Sequence, residues 1–219
     1  MERVQLHEEM TKLRRELSLM AARVEADLGK ALIILRSESE SSLLSEVRES
    51  GKIVDALQLK IEDMTFVLIA TQSPVAGDLR ELLVIYKITS ALERIGDYGI
   101  HLARAAEKFA RKASFRSMER IERMAETALQ MLGGCFSAFT SRDVNGARKA
   151  ASLDDKIDDE HKALTEEVLK LMKKKPKLVK SAARLLRISA YMERMGDHIT
   201  NICEGIIFMI EGRHEELND

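Results

Sequence analysis

The sequence predicts an all-α fold of two tandem antiparallel three-helix bundles, six helices in total. Good helix formers dominate its 219 residues, which include 11 Met, two Pro and no Trp. Apolar residues recur at steps of three and four along most of the chain. Residues 193–197, Glu-Arg-Met-Gly-Asp, also repeat residues 93–97, Glu-Arg-Ile-Gly-Asp, one hundred positions later. The repeat predicts two units, residues 1–112 and residues 113–219, each with three helices.

Two helices open the first unit. The first carries a narrow apolar stripe from Met10 to Leu35, which is typical of a helix packed in a bundle. A polar stretch at residues 37–42 follows it and is expected to be a connection. The second helix carries its apolar stripe over residues 43–68, with Gly51 as a weak point.

The third helix is expected to begin at Ser73 and Pro74. Serine is a favoured N-cap, and proline at the first helical position loses no hydrogen bond because that N–H has no partner in the helix. Apolar residues then recur as far as Phe109. The third helix therefore carries the first copy of the repeated motif.

The second unit repeats this plan. A fourth helix is predicted over residues 118–139, and residues 140–143 offer capping groups for a fifth that runs to Leu171. Residues 173–176, Lys-Lys-Lys-Pro, end the fifth helix, because the residue before a proline is pushed out of the α region. The sixth helix, residues 185–209, has the cleanest apolar stripe.

Composition excludes several classes of protein. Lys+Arg 35 against Asp+Glu 36 argues against a dedicated nucleic-acid binder, which would carry a basic excess. The first nine residues are too charged for a signal peptide, and no apolar run approaches the ~20 residues of a membrane span. Cys135 and Cys203 belong to no CxxC pair, and isolated thiols are typical of a reducing compartment. We therefore expect a cytoplasmic protein without a transmembrane segment.

Acidic residues recur one turn apart in both units. Glu193 and Asp197 stack on one face of the sixth helix, and Glu93 and Asp97 do so on the third. The middle helices carry related rows, at Asp154, Asp158 and His161 in the second unit and at Asp55 and Glu62 in the first. Because a three-helix bundle can place its middle and last helices side by side, each unit offers oxygen ligands from two helices.

These rows fit a metal site, with a solvated face as the alternative. Like charges at this spacing repel by a few tenths of a kcal/mol per pair, and a cation between the rows would reverse the sign. Carboxylate-rich, sulfur-poor sites favour Mg²⁺, Mn²⁺, Ca²⁺ or iron over copper or zinc. Alternatively, Arg94 and Arg194 neutralise the acids in solvent. Gly96 and Gly196 each cost about 1 kcal/mol relative to alanine, so we expect a neighbouring helix or a bound group to approach there.

The sequence contains no recognisable catalytic motif. Its five histidines form no HExxH pair, and Asp158-x-x-His161 is a near match to the Glu-x-x-His step that di-iron proteins carry on two helices. It has no nucleophile elbow, P-loop or dinucleotide fingerprint. We therefore predict that the protein is not an enzyme. A metal-dependent hydrolase using the same carboxylates and a purely structural helical scaffold are the alternatives.

The doubled motif, the helix layout and the length closely resemble the PhoU family of phosphate-signalling proteins over almost the whole chain. Residues 74–80 look like the family's Pro-x-Ala-x-Asp-Leu-Arg entry to its third helix, and residues 154–158 are similar to its fifth-helix acidic motif. The most specific segments are residues 93–97, 193–198 and 201–204.

The resemblance implies regulation rather than catalysis. Members of the family restrain phosphate uptake and phosphate-starvation gene expression when phosphate is plentiful. The implied partners are the ATPase subunit of a phosphate ABC transporter, the sensor histidine kinase of a two-component system, and a second copy of the chain in a homodimer. The implied cofactor is a divalent ion or a multinuclear metal cluster, for which iron, manganese, magnesium and zinc are all compatible.

The resemblance also assigns metal-ligand candidates by position, and two departures qualify them. The candidates are Asp55, Glu93 and Asp97 in the first unit and Asp154, Asp158, Glu193 and Asp197 in the second. Gly51 stands where the family has an aspartate, and Ser73 stands where it usually has a glutamine. Because Gly51 supplies no ligand, we expect the first-unit site to be the weaker one.

Overall fold

A computed structural model describes residues 2–36, 41–109 and 115–217, and these ranges contain no strand. The helices are α1 (Glu2–Arg36), α2 (Ser41–Gln72), α3 (Gly77–Phe109), α4 (Phe115–Ser141), α5 (Val144–Ala151), α6 (Asp154–Lys174) and α7 (Val179–Glu211), with a 3₁₀ turn at Pro176–Leu178. The all-α prediction is confirmed. The predicted unit boundary between residues 112 and 113 lies outside the described residues, as does most of the predicted connection at 37–42.

The predicted start of the third helix is wrong. Helix α2 continues to Gln72, and α3 begins only at Gly77. Ser73 has a φ of 44°, in the left-handed region, and Pro74 follows it. A left-handed residue followed by proline is a common way to end a helix, because neither can continue it. The Ser73-Pro74 pair therefore terminates α2 and caps nothing.

The fifth predicted helix is wrong as a single helix, because the chain turns at residues 152–153 between α5 and α6. Helix α5 packs closely on α4, since a Cβ on Gly134 would lie 3.3 Å from the Cβ of Ala150. The turn contains neither proline nor glycine, so no strong helix breaker marks its position. The predicted cap is confirmed at Asp143, whose carboxylate accepts a hydrogen bond from the amide of Asn145 at 3.0 Å.

The helices form two three-helix bundles that share one core. Helices α1, α2 and α3 pack on one another, and α4, α6 and α7 do the same with the short α5 beside them. The bundles join where α3 packs on α7 and where α1 packs on α4. The predicted apolar stripes are buried, from Met10 in α1 to Met209 in α7. Because α3 and α7 carry the two motif copies, both copies flank one seam, which we call the α3–α7 seam.

One buried ion pair ties the first bundle to the end of α4. Glu81 is 4% exposed. The Nε of Arg14 donates to one of its carboxylate oxygens at 2.5 Å, and Arg142 donates to the other. Breaking a buried pair leaves an uncompensated charge, so Glu81 fixes the position of the loop at Arg142 relative to α1 and α3.

The chain folds back after α7. Gly212 ends the helix with a φ of 74°. The ring of His214 stacks on Phe208 with centroids 4.0 Å apart, and the Leu217 amide donates to the Glu204 carboxylate at 2.8 Å. Among the described residues, no helix combines the length and apolar character that crossing a membrane requires.

Candidate metal-binding acidic clusters

The first acidic cluster lies between α2 and α3 and contains Asp55, Glu93 and Asp97. All three line a small cavity of about 10 Å³. Burial raises the pKa of Glu93, and the charges of Asp97, Asp55 and Glu62 raise it further, while Arg94 acts in the opposite direction. The structure thus brings the three predicted first-unit residues together, close enough for their charges to interact.

The same cavity is lined by Asp27 of α1, which the sequence prediction missed. Asp27 is 5% exposed, and burial raises the pKa of its carboxyl although hydrogen bonding to Ser50 opposes the change. Its signal in the sequence is an acid placed three residues after Val24 and just before Leu28, inside the apolar stripe of α1. A charged residue in the buried face of a helix is rare enough to suggest a function.

The second acidic cluster lies between α6 and α7 and contains Asp154, Asp158, Glu193 and Asp197. Burial raises the pKa of Glu193, and the charges of Asp197 and Asp158 raise it further. Burial likewise raises the pKa of Asp197, with Asp158 as the next cause. The imidazole of His161 lies near enough to oppose the change at Glu193. All four predicted second-unit residues therefore lie on two adjoining helices and repel one another.

Asp154 differs from the other three because its carboxylate lies inside the bundle. The residue is 8% exposed. The Thr200 hydroxyl donates to Oδ2 at 2.9 Å, and Oδ1 has no hydrogen-bond partner. Burial raises the pKa of Asp154 from 3.8 to about 7, although the Thr200 bond opposes the change. Desolvation disfavours the charged form of a carboxyl, so Asp154 is partly protonated near neutral pH.

The two repeated glycines have different neighbours. A Cβ on Gly196 would lie 2.0 Å from Oδ1 of Asp154 and 3.3 Å from Cδ1 of Ile157. A Cβ on Gly96 would be 3.7 Å from Val54, which is an ordinary van der Waals distance. Gly196 is therefore required by the buried carboxylate, and Gly96 is not under the same constraint. Val54 of α2 and Ile157 of α6 lie against the two glycines and are equivalent in the repeat, because between α2 and α6 the repeat spacing is 103 positions rather than 100.

That equivalence explains the missing first-unit acid. Three positions before these residues, α2 carries Gly51 and α6 carries Asp154. A Cβ on Gly51 would lie 2.7 Å from Cδ1 of Ile100, and Ile100 occupies the repeat position of Thr200. The hydrogen-bonded acid and hydroxyl of the second unit are thus replaced together by a glycine and an isoleucine that fills the space. The two clusters are not chemically equivalent.

The PhoU domain matches this chain twice, at residues 17–106 and 121–206. The chain belongs to the PhoU family. It is 29% identical over 212 residues to the phosphate-specific transport system accessory protein PhoU homolog of Clostridium acetobutylicum, and the match covers 96% of each chain. The predicted resemblance to the family is therefore confirmed.

Solved PhoU structures have the same fold. PhoU from Pseudomonas aeruginosa matches with a TM-score of 0.89 and 27% identity, covering 94% of this chain and 99% of that one. The phosphate transport system regulatory protein PhoU from Streptococcus pneumoniae matches with a TM-score of 0.86 and 27% identity, covering 99% and 100%. The two-bundle architecture is thus a property of the PhoU family and is shared by this member.

The metal that PhoU membership implies fits the chemistry of both acidic clusters. Their donors are carboxylate oxygens, which suit hard cations, and Oδ1 of Asp154 is a buried acceptor without a partner. Among the described residues, however, no group of three or more His, Cys, Asp or Glu side chains is arranged to hold a metal ion. The assignment of the seven predicted ligands stays a prediction, and closing the clusters would require side-chain rearrangement.

Proposed function

We propose that this PhoU-family protein is a regulatory accessory protein of phosphate transport. The observation that carries the proposal is the presence of two PhoU domains in a chain whose relatives are named as phosphate-specific transport accessory proteins along almost their full length. The proposed role is to restrain phosphate uptake and phosphate-starvation signalling when phosphate is plentiful. It acts in the cytoplasm, as a homodimer, between the ATPase subunit of a phosphate ABC transporter and a sensor histidine kinase.

The proposal includes a metal-binding role for the acidic clusters. In the second cluster, Asp154, Asp158, Glu193 and Asp197 would hold a divalent or multinuclear metal, because burial and the charges of neighbouring acids already oppose the charged forms of Asp154, Glu193 and Asp197. In the first cluster, Asp55, Glu93 and Asp97 would do so more weakly. A bound metal would supply positive charge at an otherwise negative surface, which suits docking to an acidic partner.

Deleting the gene and returning variants tests this function. The deletion should derepress a phosphate-starvation reporter in phosphate-rich medium, and the unchanged gene should restore repression. The variant with Glu193→Ala and Asp197→Ala should restore less. A matched control is Asp159→Ala, which removes one exposed acid of α6 outside the acidic cluster. Full repression by the double variant, at equal protein level, would contradict the role of the second cluster.

The reporter, together with measurements on the purified protein, separates the alternatives. An unaltered reporter in the deletion strain would contradict the regulatory role itself. Turnover by the purified protein that rises with its metal content would favour the hydrolase alternative. Normal partner binding and repression after both acidic clusters are neutralised would favour the structural scaffold.

A further inference from the structure

A basic pocket lies on the α3–α7 seam, apart from the two acidic clusters. Its volume is about 280 Å³. We call it the arginine pocket, and it is lined by His101, Arg104 and Ala105 of α3 and by Arg184, Arg187, Ile188 and Tyr191 of α7. Among the side chains that the structure describes, the lining contains three guanidinium groups and an imidazole and no carboxylate. Like charges gathered around a cavity repel, so this arrangement favours a bound anion.

The two arginines of α7 are uncommitted. Among the side chains that the structure describes, no carboxylate lies within 4.0 Å of the nitrogens of Arg184 or Arg187. Other arginines of the protein are engaged: Arg120 pairs with Glu160 at 2.5 Å, and Arg148 pairs with Glu215 at 2.8 Å. The guanidinium donors of Arg184 and Arg187 are therefore available to a ligand.

The wall of the pocket is held in place by aromatic stacking. The rings of His101 and Tyr191 stack with centroids 4.9 Å apart and an interplanar angle of 20°. Tyr191 also stacks on Tyr98, with centroids 5.6 Å apart. Both contacts join α3 to α7, so the arginines project from two long helices whose relative position is fixed. A site built on rigid elements needs little ordering when a ligand binds.

The internal repeat supplies a comparison within the same molecule. Each of the seven residues that line the arginine pocket has a repeat counterpart one hundred positions away on the other helix. All seven counterparts line a second pocket on the α3–α7 seam: Val84, Lys87, Ile88, Ala91, Asn201, Glu204 and Gly205. There Arg104 is replaced by Glu204, which accepts a hydrogen bond from the Leu217 amide, and Arg184 is replaced by Val84. Residues 214–216 of the folded-back tail also line that second pocket. The three-arginine lining is therefore present in one of the two repeat-related pockets and is not reproduced in the other.

We propose that the arginine pocket binds a phosphate anion, either inorganic phosphate or the diphosphate group of a larger molecule. Planar guanidinium groups donate two parallel hydrogen bonds to phosphate oxygens, and three of them compensate the charge of a phosphate dianion. The volume of about 280 Å³ accommodates one or two phosphate groups. The site needs neither a metal nor the acidic clusters, and the proposal does not rest on the regulatory function.

Calorimetric titration of the full-length protein tests the proposal. Sodium phosphate and sodium diphosphate are titrated separately, with a chelator present and with chloride holding the ionic strength constant. We expect saturable binding of at least one of them, with one ligand per chain. Saturation by diphosphate alone assigns the pocket to a diphosphate group, and saturation by phosphate, with or without diphosphate, assigns it to the single phosphate group.

Variants decide whether the arginine pocket is the site. Arg184→Ala and Arg187→Ala should each weaken binding by about tenfold or more, because each removes charge-assisted hydrogen bonds. Arg187→Lys should lose part of the affinity, since lysine keeps the charge and lacks the planar fork. Lys87→Ala, at the repeat position of Arg187, is the matched control and should bind as the unchanged protein does. Lack of saturation by both anions, or an equal loss in Lys87→Ala, would overturn the proposal.

Discussion

Asp154→Asn should remove a pH-dependent instability from the folded protein. The Asp154 carboxyl is buried between α6 and α7, with one oxygen bonded to Thr200 and the other without a partner. Asparagine has nearly the same shape and keeps an oxygen for the Thr200 hydroxyl. It cannot ionise, so the variant differs from the unchanged protein chiefly in lacking this titration.

The magnitude follows from the pKa of Asp154, which burial raises from 3.8 to about 7. Between these values the folded protein holds a proton that the unfolded chain has released, so the free energy of unfolding falls as pH rises. The stability that this group confers is fully present below pH 3.8 and is lost as pH rises through about 7. The fall is about 1.4 kcal/mol per pH unit and about 4 kcal/mol in total. Glu93, Glu193 and Asp197, whose pKa values burial also raises, act in the same direction in both proteins.

Urea unfolding followed by far-ultraviolet circular dichroism, with a chelator present, measures this difference. The free energy of unfolding of Asp154→Asn, minus that of the unchanged protein, should increase by about 4 kcal/mol between about pH 4 and about pH 8. Asp159→Asn removes an exposed acid of the same helix whose charge is not among the causes of the raised pKa of Asp154, and it should leave the pH dependence unchanged. Parallel stability curves for Asp154→Asn and the unchanged protein would refute the burial of a titrating Asp154.

Three further comparisons test the packing and one buried ion pair. Gly196→Ala should destabilise the protein by about 2 kcal/mol or more, because its Cβ would lie 2.0 Å from a buried carboxylate oxygen. Gly96→Ala should be neutral or stabilising by up to about 1 kcal/mol, because the nearest atoms to its Cβ would be 3.7 Å away. Equal effects in urea unfolding would contradict the difference between the two glycines. Glu81→Ala should cost about 1–2 kcal/mol, because it removes charge-assisted hydrogen bonds to two arginines that are partly exposed and can be hydrated; a loss under about 0.5 kcal/mol would show that the pair contributes little. The double variant Gly51→Asp with Ile100→Thr should unfold at a higher temperature than the single variant Gly51→Asp, because the double change recreates the acid and hydroxyl of the second unit. A lower unfolding temperature for the double variant would contradict the equivalence of these positions in the repeat.

The all-α class and most of the core could be predicted from the sequence, because helical periodicity reports directly which face of a helix is buried. The stripes that contain Met10, Ile188 and Ile199 are indeed buried. The errors arose where local rules have two meanings. A serine before a proline suits both the start and the end of a helix, and the structure uses Ser73-Pro74 as an end. The turn at residues 152–153 follows from packing, which no local sequence signal reports.

The acidic rows could be predicted from spacing, but their three-dimensional setting could not. Whether Asp154 faces solvent or the bundle interior depends on how α6 is rotated against α7, and Gly196 opens that interior position. Asp27 lies on α1, whose contact with the first cluster is tertiary. The arginine pocket was also invisible, because Arg104 and Arg184 are 80 positions apart and meet only through the packing of α3 on α7. Such sites require the register of two helices, which a single sequence does not supply.

Metal analysis of protein purified without a chelator and without metal-affinity resin tests the central claim most directly. The unchanged protein should retain metal, and the variant with Glu193→Gln and Asp197→Gln should lose most of it. The matched variant with Glu93→Gln and Asp97→Gln should lose less, because Gly51 leaves the first cluster without one acid. Unchanged protein without metal, which also fails to take up iron, manganese, magnesium or zinc on dialysis, would contradict the account. So would metal content that is the same in all three proteins.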